Sequence, residues 1–430
     1  MRGSVIVLAA AGILLPAVAG PVTAVERFPR PDFETAYEMP ATQAPLPRGA
    51  AWDWIDVVLM VVALAVASYF GLRRRSRLGL LLLSVACVLY FGFWRHGCVC
   101  PVGAVQNVAM GLFGQGYAVP LTVIFLFLLP LLFALLFGRV FCAAVCPLGA
   151  VQDLVVWKPI RLPVWLTGVL GSIPVVFLGL GVLAATAGAG FLICRLDPFV
   201  GFFRLGASMP MMVFGVALLA LGVVVARPYC RFLCPYGVLL GWLSRLAKWH
   251  VTITPTECIN CRLCEDACPF GAIRVPTPQA TETRRVGVRR LTLLLGLLPV
   301  FVVGGGWVVS RMYIPMSRLH PVVLQAERVL GEDLGLVEGT TLESDVFRRS
   351  GVPESDLYAE ALAVRRRFRN GSWIFGSFLG LVIGVRLIEF SVRRKREFHT
   401  IDRESCLSCG RCFLACPKER ELREGMKAAG

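Results

Sequence analysis

Histidine is scarce in this 430-residue chain: only His96, His250, His320 and His399 occur. No two of them share an apolar run of spanning length, which excludes a haem held by paired histidines inside a membrane. No G-x-G-x-x-G follows a strand and opens a helix, and there is no Walker A sequence, so nucleotide chemistry belongs elsewhere. No nucleophile–base arrangement is legible either. These absences favour an electron conduit over an enzyme with its own organic substrate. Charge is thin as well. Charged residues make up 17% and hydrophobic residues 56%, where a soluble protein carries about 25% charged residues. With a mean hydropathy of +0.69, the composition is that of a membrane protein. Acids are fewer than bases, 28 against 44, for a net charge of +16. The bases gather at the ends of apolar runs, where orientation signals sit, so nucleic acid is not an expected partner.

Cysteine, by contrast, is plentiful: sixteen occur. Cys258, Cys261, Cys264 and Cys268 follow the spacing C-x2-C-x2-C-x3-C-P, and Cys406, Cys409, Cys412 and Cys416 repeat it. Three cysteines within seven residues let one loop wrap three corners of a cubane [4Fe-4S] cluster, while the fourth reaches a second cluster nearby. Zinc sites set short cysteine pairs a dozen or more residues apart, and a disulfide framework belongs to small, loop-rich domains in oxidising compartments. Neither fits these stretches well.

In chain order, residues 1–24 read as a signal peptide. Arg2 is followed by the apolar stretch Val5–Ala19 and by small-residue cleavage sites at Ala17-Val18-Ala19 or Val22-Thr23-Ala24. An uncleaved anchor is the alternative. Residues 25–52, with Pro29, Pro31, Pro40, Pro45 and Pro47, form an extended linker on the export side. Apolar runs of spanning length at 54–72, 78–95, 119–137, 163–187, 208–226, 291–310 and 372–390 predict an all-α membrane protein of about seven transmembrane helices. Residues 53–249 form a five-helix membrane domain with Cys-Pro loops. The ferredoxin-like motifs occupy 250–290 and 393–430, separated by helices at 291–310 and 372–392 and a small, mostly helical export-side domain at 311–371. Arg73, Arg74, Arg75 and Arg77 place the end of the first helix in the cytoplasm. Alternation from there puts both ferredoxin-like motifs on that side of a bacterial inner membrane. The last helix has arginines at both ends, and alternation alone sets its direction.

The membrane domain carries an internal repeat. Cys100-Pro-Val-Gly-Ala-Val-Gln-Asn107, Cys146-Pro-Leu-Gly-Ala-Val-Gln-Asp153, Cys234-Pro-Tyr-Gly-Val-Leu-Leu-Gly241 and Cys268-Pro-Phe-Gly-Ala272 resemble one another. Cys142 precedes Cys146, and Cys230 precedes Cys234, each by four residues, so two cytoplasmic C-x3-C-P loops offer four ligands for one cluster. Structural thiols or zinc are the alternatives. On the export side Cys98, Cys100, Cys194 and Asp197, the last standing directly before Pro198, offer a further ligand set, with His96 a rival fourth ligand. There a disulfide from Cys194 to Cys98 or Cys100 is the competing reading. Cys87 is alone in an apolar run and reads as a small buried hydrophobe.

At these residues the chain resembles the NosR/NapH-type membrane polyferredoxins. The resemblance covers roughly 78–273 and 372–417. It implies cluster ligation by Cys142, Cys146, Cys230, Cys234 and the eight ferredoxin-type cysteines, and electron transfer between cytoplasmic carriers or quinol and an exported flavin, haem or copper protein. Three departures stand out. The export-side flavin domain of NosR-like proteins has no counterpart, the outer Cys-x-Cys differs from C-x3-C, and the two ferredoxin motifs are split by two helices. If the usual ligand exchange holds across that split, Cys416 joins Cys258, Cys261 and Cys264, and Cys268 joins Cys406, Cys409 and Cys412. The main alternative function, a redox-sensing regulator or metalloenzyme assembly factor, uses the same clusters.

Overall fold

A computed structural model describes residues 49–97, 100–114, 117–160, 162–253, 258–277, 284–391, 396, 398–419 and 421. The signal peptide expected at 1–24, most of the linker to 52, and Cys98 lie outside the described residues. Those described are mostly helical, joined by turns and loops, with one short antiparallel pairing of Ile273 with Ile401 and Arg274 with Thr400. Helices dominate because a segment in hydrocarbon must satisfy its own backbone hydrogen bonds.

Among the described residues, five helices are long and apolar enough to cross a membrane: Ala51–Arg73, Arg77–Trp94, Trp165–Thr186, Arg285–Ser310 and Glu354–Ser391. Counting the bent pair Pro198–Arg204 and Met209–Gly222 as one span makes six, fewer than the seven expected. Two predicted spans are shorter than their apolar runs. Leu121–Phe137 starts after Pro120 and stops at Gly138, whose φ of 77° ends the helix after 17 residues. At about 1.5 Å per residue it is about 26 Å long, near the lower limit for spanning. Met209–Gly222 has 14 residues and meets Pro198–Arg204 at 107°. The rest of that apolar run turns to deliver Arg227, in the left-handed region at φ 51°, to the interior. Outward faces remain apolar: Leu82, Val216, Leu293, Val300 and Ile374 are all more than 60% exposed. A contiguous surface of that kind is suited to lipid.

The core lies around the Cys-Pro loops. Residues 141–150 are buried without interruption. The π-helical turn Phe141–Val145 and the helix Pro147–Val155 pack there with Leu80, Phe91, Tyr229 and Tyr236. A second core joins Val323, Val329 and Phe368 to Leu183. It seats the helices Pro321–Asp333 and Leu342–Arg349 against the first half of Glu354–Ser391. The second half of that helix crosses Arg284–Ser310 through Gly376, Gly380 and Gly384, one helical turn apart. A Cβ at Gly376 would overlap Gly305 O, and one at Gly380 would overlap Phe301 O. Small residues at this spacing let two backbones approach closely in a membrane. The crossing returns the chain so that residues 400–416 dock beside 258–274.

Candidate cluster-binding sites

The two ferredoxin-like stretches fold alike. Asn260 and Arg262 take positive φ in the first, and Ser408 and Gly410 take it in the second. These are the second and fourth residues after the leading cysteine of each stretch. The left-handed turns curl each loop; in the first, Cys264 and Cys268 are buried while Cys261 is exposed. The Ser408 amide donates to Cys406 Sγ at 3.4 Å, and the Ala272 amide to Cys268 Sγ at 3.4 Å.

The short strand pairing and the Asp402 amide donating to Ala272 O at 2.8 Å register the two stretches. One cavity is lined by Cys268, Cys406, Cys409 and Cys412 together with Phe270, Ile273, Ile401 and Leu407. A second has Cys264, Cys412 and Cys416 on its walls beside Ile253 and Phe413. Burial pushes the Cys264 thiol up to about 11, and neighbouring Cys258, Cys261 and Cys416 add to the rise. The split motifs are therefore brought side by side, with Cys268 beside Cys406, Cys409 and Cys412, Cys416 beside Cys264, and Cys412 bordering both cavities.

The C-x3-C-P loops meet one layer deeper. Cys146 and Cys234 each stand in extended backbone directly before a proline that begins a helix, a position where the absent N–H costs nothing. Cys142 and Cys230 come from the turn before. Burial is the main cause that raises the Cys146 thiol well above its ordinary range, and Cys230, Cys100, Cys142 and Cys234 all lie near enough to reinforce it. Four dry thiols fit a thiolate-ligated metal group, because coordination deprotonates the sulfur and removes the conflict between burial and charge.

Gln152 ties the loops together. Its Oε1 accepts from the Tyr229 amide at 3.0 Å, and its Nε2 donates to Cys230 Sγ at 3.3 Å and Leu148 O at 2.9 Å. A side chain at Gly149 would meet Cys230 Sγ and Arg227 Nη1, 3.5 and 3.2 Å from its Cβ. Arg139 Nη2 is 3.8 Å from Cys142 Sγ.

A buried cation stands between this site and the ferredoxin-like module. Arg227 donates to Cys142 O and, at 3.2 Å, to Ala143 O, and pairs with Asp153. Asp153 also pairs with Arg77 and, at 3.3 Å, with Arg411 from the second ferredoxin-like stretch. Burial alone would raise the Asp153 carboxyl, but Arg227, Arg77 and Arg411 outweigh it and hold it well below the usual carboxylate range. Arg231 donates to Phe270 O at 3.3 Å and Pro269 O at 3.5 Å. It faces Cys268.

Cys100, Cys194 and Asp197 also converge. Cys100 senses Asp197 and Cys194, and Asp197 is buried, accepting from Phe199 N at 3.0 Å and Tyr229 Oη at 2.8 Å. Burial lifts the Asp197 carboxyl to about 6. His96 has Nδ1 3.4 Å from Phe203 O. Among the described residues, no three of His, Cys, Asp and Glu stand so as to hold a single metal ion. Sequence reasoning passed over Gln106, Gln152, Arg227, Asp153 and Tyr229. The glutamines had a signal, since each stands six residues after the cysteine in two of the repeats.

Comparison with known proteins agrees with the cysteine pattern. Residues 119–166 and 207–254 match a family model described as a 4Fe-4S binding domain, and 251–274 match another of the same description. The stretch 406–417 lies outside these ranges. Over 85 residues, 20% of the chain, the sequence is 32% identical to YccM of Escherichia coli strain K12, whose name ascribes it to electron transport; 23% of that relative is covered. Over a further 85-residue alignment, 19% of the chain, it is 35% identical to NirI of Paracoccus denitrificans strain Pd 1222, covering 12% of that protein. It is 42% identical over 53 residues, 12% of the chain, to an iron-sulfur protein of Rhodospirillum rubrum, covering 25% of it. The chain thus spans a quarter or less of the length of these curated relatives. No solved structure matches. The chain carries [4Fe-4S] binding domains among helices of membrane-spanning length.

Proposed function

We propose that this membrane polyferredoxin conducts electrons between a cytoplasmic carrier or quinol and an exported redox protein bearing flavin, haem or copper. Bound [4Fe-4S] clusters supply one-electron chemistry with no proton or atom transferred. Two of them are assigned to Cys258, Cys261, Cys264 and Cys416, and to Cys268, Cys406, Cys409 and Cys412. A third is assigned to Cys142, Cys146, Cys230 and Cys234. The chain's own residues bury most of the inner four thiols, donate to sulfur through Gln152, and balance thiolate charge with Arg139 and Arg227. Burial, hydrogen bonds to sulfur and nearby charge are the levers a protein has over cluster potential.

The observation that carries the reading is the chain of contacts from Cys142 O through Arg227 and Asp153 to Arg411, flanked by Cys409 and Cys412. It makes the inner site and the ferredoxin-like module neighbours across a single layer of side chains. Contacts on the same face support the proposed orientation. Arg75 pairs with Glu419 at 2.5 Å and lies over the Phe413 ring, and Arg77 reaches Asp153. The arginine cluster after the first span therefore shares a side with the second ferredoxin-like stretch, and such clusters face the cytoplasm of a bacterial inner membrane.

Anaerobic purification with iron and acid-labile sulfide analysis, and EPR of the reduced protein, tests the reading. At least about twelve irons per chain are expected from three cubanes. About eight, the complement of the ferredoxin-like pair alone, would overturn the conduit in favour of a sensor or assembly factor.

A further inference from the structure

We propose that Cys100, Cys194 and Asp197 hold an additional iron–sulfur cluster, with the Gln106 side-chain amide as its hydrogen-bond donor. The inference stands on its own geometry and adds a site that no family match reaches: the matched ranges 119–166, 207–254 and 251–274 exclude all four residues.

The argument is a parallel with the inner site, although Cys194 stands three residues before Asp197 where Cys230 stands four before Cys234. Cys100 precedes Pro101 at a helix start as Cys146 precedes Pro147, and Asp197 precedes Pro198 as Cys234 precedes Pro235. Gly103 repeats Gly149. A Cβ there would stand 3.0 Å from Cys194 Sγ, as one at Gly149 would stand 3.5 Å from Cys230 Sγ. In both places the missing side chain lets a thiol from the opposite loop settle on the first helical turn. Gln106 repeats Gln152. Its Oε1 accepts from the Ile193 and Cys194 amides at 3.0 and 3.3 Å, as Gln152 Oε1 accepts from Tyr229 N.

One difference points to a ligand. Gln152 Nε2 donates to Cys230 Sγ, whereas Gln106 Nε2, on a side chain that is 0% exposed, has no partner among the described residues. A buried donor of this kind calls for an acceptor. Because its own Oε1 is fastened to the Cys194 backbone, this donor lies at the Cys194 loop. Asp197 is the second anomaly. It is 4% exposed and forms no ion pair among the described residues, although two donors hold it in place. A carboxylate can ligate iron as a thiolate does, and this one occupies the position of Cys234. Both cysteines are free. Tyr229 places the two sites side by side, with its amide on Gln152 and its hydroxyl on Asp197.

The test uses the full-length chain purified anaerobically. The wild type is expected to hold about sixteen irons, and Cys194→Ala about twelve with the remaining EPR signals unchanged, by cubane arithmetic. A wild type of about twelve irons that Cys194→Ala leaves unaltered overturns this site and leaves the inner one standing; about eight overturns both. A Cys100–Cys194 disulfide found by mass spectrometry of alkylated protein also overturns it. Should Cys194→Ala lose all its iron, Asp197→Cys decides. Retained iron with altered g values of one signal supports the site, and an unchanged spectrum overturns it. In Gln106→Leu, a fall in one midpoint potential with iron retained supports the donor role, and no shift removes it.

Discussion

Arg227 and Asp153 form an ion pair at 3.4 Å in which the side chains are 0% and 4% exposed. Buried charges are retained only where partners and hydrogen bonds satisfy them. Here the partners are themselves parts of the two cysteine layers, since Arg227 donates to the Cys142 and Ala143 carbonyls and Asp153 reaches Arg411. The pair thus fixes the inner loop and the ferredoxin-like tail in one arrangement.

Arg227→Leu is expected to cost about 3–5 kcal/mol, the usual penalty for stranding one member of a buried pair. Arg227→Lys keeps the charge but loses the two-carbonyl fork, so it should destabilise less while still disturbing the inner site. Thermal unfolding in detergent, followed with iron content, checks both. A Leu variant with wild-type melting and wild-type midpoint potentials would count against the arrangement.

Gln152→Leu removes the donor to Cys230 Sγ without leaving an acid or base unpaired. Donation to sulfur favours the more negative, reduced cluster, so its loss should lower the inner midpoint by tens of millivolts, on a scale where about 59 mV is tenfold for one electron. An EPR-monitored titration should show that signal alone moving. Equal shifts in all signals would mean a general structural change.

How much of this was legible in the sequence divides along physical lines. The two ferredoxin-like spacings could be read because a short cysteine-rich loop carries its ligand pattern locally, whereas the proposed exchange of fourth cysteines depends on how the two stretches pack. The longest apolar runs could be read because the bilayer imposes a length. Met209–Gly222 was overestimated because apolar residues 223–226 continue the hydropathy while the backbone turns toward Arg227. Arg227 itself passed as one more base at a helix end, and only tertiary packing shows that it is buried while Arg231 faces the Phe270 carbonyl. Gln106 and Gln152 were visible as repeats but not as fasteners, because an amide in an apolar run has no signature until its partners are known.

Gly380→Leu tests the staple that returns the second ferredoxin-like stretch. A Cβ at 380 already overlaps the Phe301 carbonyl, and overpacking costs about 1–3 kcal/mol, more where backbone must move. The helices should splay and displace residues 400–416. Loss of ferredoxin-type EPR signals with inner-site iron retained is the expected outcome. Gly287→Ala, on an open helix face with nothing within 4 Å, is the control and should change neither.

The proposed exchange of ligands makes a crossed prediction. Cys416 lies 10 residues or fewer from Cys406, Cys409 and Cys412 in sequence, yet the cavity it lines is shared with Cys264 as well as Cys412. Likewise Cys268 belongs to the cavity of Cys406, Cys409 and Cys412. Cys416→Ala should therefore weaken the cluster of the first stretch, and Cys268→Ala that of the second. Each variant should lose up to about four irons. Selective assignment needs a marker on one cluster. His399, which is buried with Nδ1 3.0 Å from Asn260 Oδ1 and sits in the first loop's surroundings, provides one. His399→Phe should perturb the EPR signal that Cys416→Ala removes and spare the one that Cys268→Ala removes. The reverse pattern would mean that each stretch ligates its own cluster with all four cysteines, and that the split between them has no role in joining the module.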